Sequence, residues 1–149
     1  MTIIEALVAE HRVFLGLFEE VERSLPLLKT VDEVRLTCRL IQRLLSKHGG
    51  EEDDLSFIAV DHILKEHKRH ARLDHDHREI DRLLEKVTSV RDIRKARSRL
   101  KAALTGCRAH FRDEERHLFP LLEKALQPET LLAFGKAWAT EKSLTSRFS

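Results

Sequence analysis

The chain carries the same arrangement of potential metal ligands twice. In each half, a histidine is followed at a similar spacing by a second histidine and then, four residues later, by a glutamate. The first copy consists of His11, His48 and Glu52, and the second of His77, His110 and Glu114. A repeat of whole helix pairs that keeps its ligands predicts a pseudo-twofold site with two metal ions.

Apolar residues recur every three or four positions along most of the chain, which is the period of an amphipathic helix. Four such stripes each contain one of these histidines, and they run through residues 7–25, 34–55, 70–87 and 93–121. Short links at about 25–30 and 88–90 make neighbouring helices antiparallel. We therefore predict one all-α domain over 1–149: an up-down-up-down four-helix bundle over about 2–126, then a short C-terminal helix and tail over about 128–149.

Several residues predict where the helices begin and end. Capping at helix starts is predicted for three pairs: Thr2 with Glu5, Thr30 with Glu33, and Ser89 with Asp92. Proline lacks a backbone N–H, so Pro26 ends the first helix and Pro120 kinks or breaks the fourth, whereas Pro128 suits a first turn. No glycine or proline marks the end of the second helix, which leaves Ser56 and Asp61 as alternative caps for the third.

Composition and charge exclude several classes of protein. Charged residues make up 35% of the chain and aromatic residues 5%, which fits a helical protein better than a β-protein. The net charge is +2 with acidic and basic residues interspersed, so no nucleic-acid partner is predicted. Two lone cysteines, Cys38 and Cys107, favour a reducing compartment. The N-terminal residues show no secretory signal or membrane span, and we predict a cytoplasmic protein without membrane contact.

The candidate ligands lie in the stripes predicted to be buried. A residue four positions further along a helix is rotated by about 40° and rises about 6 Å, so His48 and Glu52 can reach one point, as can His110 and Glu114. Burial of four imidazoles and two carboxylates is costly, and bound metal ions would compensate for it. This ligand set suits iron, manganese or zinc. Two bridging glutamates, two histidines per ion and an oxo or hydroxo bridge leave about one open position on each ion, which favours small ligands or redox chemistry.

Ferritin-like di-iron bundles also direct glutamates and histidines inward, but their motif is Glu-x-x-His. No such pair occurs at matching positions in the two halves of this chain. A ferritin-like site is therefore the second interpretation of the ligand pattern.

Four segments together resemble a known family. They are His11, His48-Gly-Gly-Glu-Glu52, Asp76-His77-Arg78 and His110-Phe-Arg-Asp-Glu-Glu-Arg-His-Leu-Phe-Pro120. The last is the most specific, because it follows the pattern His-x-x-x-Glu-Glu-x-x-Leu-Phe-Pro. Over about residues 4–126 the chain resembles the hemerythrin-like (HHE cation-binding) domain family.

The resemblance implies a four-helix bundle that holds a non-haem di-iron centre with two iron ions. By position it assigns six ligands, namely the terminal ligands His11, His48, His77 and His110 and the bridging ligands Glu52 and Glu114. Members of the family are associated with O2 binding or sensing, responses to nitric oxide or peroxide, repair of iron centres, and iron homeostasis.

The chain departs from the oxygen-carrying hemerythrins at two positions. Those proteins have a fifth histidine one turn before the third-helix ligand, where this chain has Leu73. They also have an aspartate five residues after the last histidine, where this chain has Glu115. The resemblance is therefore to a branch with four histidines and two glutamates, which favours sensing, reactivity with oxidants or NO, or iron handling over reversible O2 carriage.

Other residues near the predicted ligands could contribute to the site. His70 shares a predicted face with His77 and is assigned to the core or the mouth of the bundle. Glu51 directly precedes Glu52 and could hydrogen-bond a ligand or reach a metal, and Glu115 could replace Glu114 as a ligand. Cys107 is predicted to line the same cavity as a small buried hydrophobe.

Two glycines, Gly49 and Gly50, directly follow His48. Each costs a helix about 1 kcal/mol relative to alanine. They indicate either a helix bend or a local opening that admits a small ligand.

The preferred function is a non-haem di-iron protein that senses or reacts with O2, NO or peroxide. An iron-binding or metal-homeostasis module without turnover is the alternative, and the intact ligand set argues against an interaction bundle with a relic site. The sequence indicates no pocket for an organic substrate, and it assigns no enzymatic reaction to the chain. The expected partners are a diatomic ligand or peroxide, and Phe134 and Trp138 could either cover the bundle or pair with a second chain.

Overall fold

The computed structural model describes the backbone of residues 1–60 and 69–146 and the side chains of residues 1–54 and 77–143. These residues form helices, which are α1 Ile3–Ser24, α2 Val31–Val60, α3 Arg69–Thr88, α4 Ile93–Asp113, α5 Phe119–Ala125 and α6 Pro128–Ser146. The first four pack together as the bundle, and the predicted all-α fold is confirmed. None of the helices in these ranges is long and apolar enough to cross a bilayer.

Two capping boxes are confirmed. At the start of α1, Glu5 N–H donates to Thr2 Oγ1 at 3.2 Å, and Thr2 N–H donates to Glu5 Oε2 at 2.7 Å. Thr30 and Glu33 make the same reciprocal pair before α2, at 3.2 and 2.8 Å. The two bonds satisfy backbone donors that have no partner within the helix.

The predicted pairing of Ser89 with Asp92 is wrong. Asp92 is itself the N-cap of α4, and its side chain accepts from Lys95 N–H at 2.8 Å. The Ser89 hydroxyl instead donates to the Lys86 carbonyl, at the end of α3. Ser89 lies too close to α3 to cap α4.

The junction between α2 and α3 lies largely outside the described residues. Ser56 falls inside α2, so its prediction as a cap for α3 is wrong. Asp61 and the remaining part of that junction lie outside the described residues.

A π-helical turn, Glu114–Leu118, joins α4 to α5. The Phe119 N–H donates to the Glu114 carbonyl, five residues earlier. Pro120 follows in the first turn of α5, where its missing N–H costs least. The helix is therefore interrupted before Pro120, as its position predicted, and the buried stripe continues through Leu118 and Leu122 rather than Leu121.

The C-terminal helix α6 is 19 residues long, so the prediction of a short helix is wrong. It packs against α1, and Phe134 and Trp138 lie on the apolar cluster at that end of the bundle. Gly135 allows the close approach, because a Cβ there would lie 2.8 Å from the backbone carbon of Thr2 and 2.9 Å from the nitrogen of Ile3.

Two apolar clusters fill the interior. The main cluster lies among α1 to α4, and the second joins the start of α1 to the π turn, α5 and α6. On α1, His11 stands between Leu7 of the second cluster and Phe14 of the main cluster. The polar residues of the predicted site therefore lie between two apolar layers.

Candidate metal centre

The structure brings all six predicted ligands to one place in the core. Five of these side chains are at most 8% exposed: His11, His48, Glu52, His110 and Glu114. The sixth, His77, is 19% exposed. Each helix of the bundle contributes a histidine, α2 contributes Glu52 as well, and the π turn contributes Glu114.

The first donor group consists of the Nε2 atoms of His11 and His48 with one oxygen from each glutamate. Glu52 Oε1 lies 3.5 Å from His11 Nε2 and 3.2 Å from His48 Nε2. Glu114 Oε2 lies 3.4 Å from His11 Nε2.

The second donor group consists of the Nε2 atoms of His77 and His110 with the other oxygen of each glutamate. Glu114 Oε1 lies 2.8 Å from His110 Nε2 and 3.6 Å from His77 Nε2. Glu52 Oε2 lies 3.5 Å from His77 Nε2. Each carboxylate thus directs one oxygen to each group.

These donor atoms are suited to a cation. The inward atoms that are buried without a hydrogen-bond partner are Nε2 of His11, His48 and His110 and both carboxylate oxygens of Glu52 and Glu114. Unpaired buried polar atoms are costly, and coordination of a cation would satisfy them. Imidazole nitrogens and carboxylate oxygens together suit iron, manganese or zinc.

Outer carboxylates lie beside the outer nitrogen of two imidazoles, at a hydrogen-bonding distance for His11 and at a longer distance for His77. Glu115 Oε1 lies 2.8 Å from His11 Nδ1, and Asp53 Oδ1 lies 3.4 Å from His77 Nδ1. Each of these acidic residues directly follows one of the inward glutamates in sequence. A carboxylate that accepts from Nδ1–H leaves the Nε2 lone pair directed at the donor group. Glu115 therefore supports His11 from outside, and Glu114 is the residue that faces both groups.

The outer partner of His48 is tied to the C-terminal helix. Glu10 Oε2 lies 2.8 Å from His48 Nδ1, and Glu10 Oε1 lies 2.7 Å from Lys142 Nζ. Lys142 also lies 3.0 Å from Glu51 Oε1, and Trp138 Nε1 donates to Glu51 Oε2 at 2.9 Å. Both carboxylate oxygens of Glu51 therefore contact residues of α6.

Aromatic rings fix the orientation of His11. Its imidazole stacks on Phe111, with centroids 4.0 Å apart and planes 13° apart. Phe119 stacks at 5.4 Å. These rings help to hold His11 in position between the two inward glutamates.

A cavity of about 190 Å³ borders both donor groups. Its lining includes His48 of the first group, His77 and His110 of the second, and the glycines Gly49 and Gly50. The α-helical backbone of α2 continues through both glycines. A Cβ at Gly49 would lie 3.4 Å from His77 Cε1, so the glycine leaves space beside that imidazole.

Cys107 does not line this cavity, so the prediction of its position is wrong. Its side chain is fully buried in the main apolar cluster, which also contains Phe111. Burial raises the pKa of the thiol to about 12, which fits the predicted role as a small hydrophobe. The side chain of His70 lies outside the described residues.

The buried histidines and glutamates change one another's pKa values. Burial lowers the pKa of His11, but the neighbouring carboxylates of Glu114 and Glu52 outweigh it and raise the pKa to about 10. The same two carboxylates raise the pKa of His77 to about 10, and those of Glu10 and Glu52 raise that of His48 to about 9. Burial would raise the pKa of Glu52, but the histidines hold it well below its usual range.

The contacts of Glu10, Asp53 and Lys142 at the site were not predicted from the sequence. The two acidic residues could have been noticed as sequence neighbours of ligands. No local pattern indicates Lys142, since its partners lie on α1 and α2.

One comparison with known proteins gives a match. The family model for the Hemerythrin HHE cation binding domain matches residues 2–122, which include all six inward residues. No curated protein and no solved structure matches the chain. Helix α6 lies beyond the matched residues.

Proposed function

We propose that this chain, which belongs to the hemerythrin HHE cation-binding domain family, is a non-haem di-iron protein that senses or reacts with O2, NO or peroxide. The observation that carries the proposal is the position of the two inward carboxylates, each with one oxygen toward each donor group. Carboxylates in that position can bridge two ions.

In this proposal, His11 and His48 bind one iron, His77 and His110 bind the other, and Glu52 and Glu114 bridge them. The buried unpaired donor atoms support this assignment. A bound iron pair would supply redox chemistry and a position for a small ligand. The two flanking apolar clusters would exclude bulk water from the centre.

We propose that small ligands approach from the cavity beside His77. This imidazole is 19% exposed, whereas His11 and His48 are 0% and 3% exposed. Gly49 faces the ring of His77. Because glycine has no side chain, the space beside that ring stays open, and a Cβ at this position would occupy it.

Gly49→Ala is expected to slow the binding of NO to the reduced iron-loaded protein, because the added methyl group narrows the cavity beside His77. The measurement is the second-order rate constant from stopped-flow absorbance. Gly16→Ala is the matched control, since a Cβ at Gly16 meets no atom within 4 Å and Gly16 does not line the cavity. Equal rates in both variants and the unaltered chain would contradict this access route.

The first test of the proposed function is metal analysis of aerobically purified protein with a near-ultraviolet spectrum. Two irons per chain with an oxo-to-iron charge-transfer band are expected. The reduced protein is then mixed with O2, NO or peroxide in a stopped-flow instrument. Fast spectral change supports reaction or sensing, and repeated consumption of peroxide indicates an enzyme.

Metal handling without turnover is the second candidate, and the partial exposure of His77 favours it, because an exposed ligand eases release of an ion. This candidate predicts iron that loads and leaves readily but no spectral change with any of the three oxidants or ligands. Zinc, manganese or no metal in an intact fold would contradict the di-iron proposal.

A further inference from the structure

We propose that Lys142, on the C-terminal helix, is a positioning residue that controls how firmly the His11–His48 position holds its ion. This inference rests on the proposed function, because it takes His48 as a ligand. It concerns a part of the chain that lies beyond the residues matched by the family model.

A continuous chain of contacts links Lys142 to His48 through Glu10. Lys142 Nζ lies 2.7 Å from Glu10 Oε1, and the other oxygen of Glu10 accepts from His48 Nδ1 at 2.8 Å. Glu10 is thereby held between a cation and an imidazole. Outer carboxylates of this type fix the orientation of a ligating histidine, and their loss typically costs 10–100-fold in metal affinity or activity.

Lys142 is well placed to restrain this carboxylate. Its side chain is 28% exposed and Glu10 is 19% exposed, so solvent screens the pair less than an ion pair on the open surface. Lys142 also contacts Glu51 Oε1 at 3.0 Å, and Glu51 directly precedes Glu52. One ammonium group therefore connects the two helices that supply this half of the centre.

The position of Lys142 is set by the packing of α6. Trp138, one turn earlier, donates to Glu51 Oε2 at 2.9 Å. Lys142 Nζ also lies 5.2 Å from the centroid of the Trp138 ring, which is within the range of a cation–π interaction. Gly135 holds the same helix against the backbone at the start of α1.

The second donor group has a different outer environment. Asp53 lies 3.4 Å from His77 Nδ1, a longer separation than that between Glu10 and His48, and its side chain is 47% exposed. Lys142 contacts Glu10 and Glu51, both on the side of the first group. Loss of the lysine should therefore affect one ion of the two.

The test measures iron release from the full-length, reduced, iron-loaded protein to ferrozine. In Lys142→Met, one equivalent is expected to leave about 10-fold faster than in the unaltered chain, at the lower end of the outer-carboxylate range, and the other at an unchanged rate. Lys142→Arg should restore slow release, because it keeps the charge. Lys136→Met is the matched control, since Lys136 is exposed on the same helix.

Glu10→Gln provides a second variant on the same chain of contacts. Glu10→Gln should accelerate release of the same iron equivalent as Lys142→Met does. In the Glu10→Gln background, Lys142→Met should increase that release rate little further, because the lysine acts through the Glu10 carboxylate. Additive effects would overturn the proposed route. Unchanged release in Lys142→Met, or equal acceleration of both ions, would overturn the inference.

Different results would contradict the proposed function and the role of Lys142. If the unaltered chain binds fewer than two irons, the di-iron proposal is wrong. If it binds two and Lys142→Met releases both at the original rates, only the role of Lys142 is wrong.

Discussion

At the scale of single residues, His48 shows how the chain controls a side chain in the core. Glu10 accepts from its Nδ1 at 2.8 Å, and Glu52 lies 3.2 Å from its Nε2. The imidazole has a carboxylate on each side, one from α1 and one from its own helix. Its outer nitrogen is therefore occupied, and its inner nitrogen is free to bind a cation.

His77→Ala and His110→Ala are each expected to lower the metal content to at most one ion per chain, because each removes an imidazole of the second donor group. Metal analysis by mass spectrometry after gel filtration measures this. His117→Ala is the control, since its side chain is 55% exposed. Retention of two ions in both variants would refute the ligand assignment.

Protein stripped of metal should lose stability as the pH rises. The pKa of His48 is raised to about 9 and those of His11 and His77 to about 10, from 6.5. Groups with raised folded-state pKa values contribute fully below about pH 6.5, and the contribution is lost as the pH rises through 9 to 10. Denaturant unfolding at pH 6.5 and pH 10 measures the difference.

The same experiment on metal-loaded protein is the control. A bound metal requires deprotonated imidazoles, so the loaded protein should not follow this loss. Equal pH dependence of the stripped and loaded forms would contradict the role of these histidines.

At the scale of elements, the π turn and α6 complete a site to which the four bundle helices supply most of the inward residues. The π turn begins at Glu114, so the residue that faces both donor groups lies where the helix changes its period. π-helical turns are frequent at functional sites. Helix α6 then covers the end of the bundle beside Glu10 and Glu51.

Gly135→Ala is expected to destabilise the protein by about 1–3 kcal/mol, because its Cβ would meet backbone atoms of Thr2 and Ile3 that cannot move independently. Gly16→Ala is the matched control, since a Cβ at Gly16 meets nothing within 4 Å and it also lies in a helix. The control should gain about 0.5–1 kcal/mol. Denaturant midpoints measure both, and a gain in Gly135→Ala would disprove the close packing of α6.

At the scale of the whole molecule, the bundle encloses a polar layer between two apolar clusters. The layer contains two buried carboxylates and several imidazoles with unpaired atoms. Buried charged and polar atoms destabilise the folded protein unless a bound cation or another polar group compensates for their lost hydration. We therefore expect folding and metal binding to be linked.

Removal of metal by a chelator should lower the melting temperature, and restoring iron at about 100 times its dissociation constant should return about 2.7 kcal/mol. Differential scanning calorimetry measures both transitions. A His11→Ala/His77→Ala double variant is the control, because it lacks one imidazole from each donor group. The same response to iron in this variant would show that the ion stabilises the protein from another site.

The sequence by itself determined the parts of this protein that depend on residues close together along the chain. Apolar spacing predicted the four bundle helices, and reciprocal pairs such as Thr2 with Glu5 predicted helix starts, because both depend on contacts three or four residues apart. The duplicated ligand pattern predicted which side chains would meet in the core, because each histidine lies in the apolar stripe of its own helix. Ser89 was assigned wrongly because two polar residues near one boundary, Ser89 and Asp92, can each serve as a cap.

Only the tertiary structure decided which partners surround the site. Glu115 reaches His11 from another helix, and Lys142 reaches Glu10 from α6. Cys107 lies in the apolar core rather than on the cavity, although it shares a helix face with His110. These outcomes depend on how helices far apart in sequence pack, and local periodicity does not contain that information.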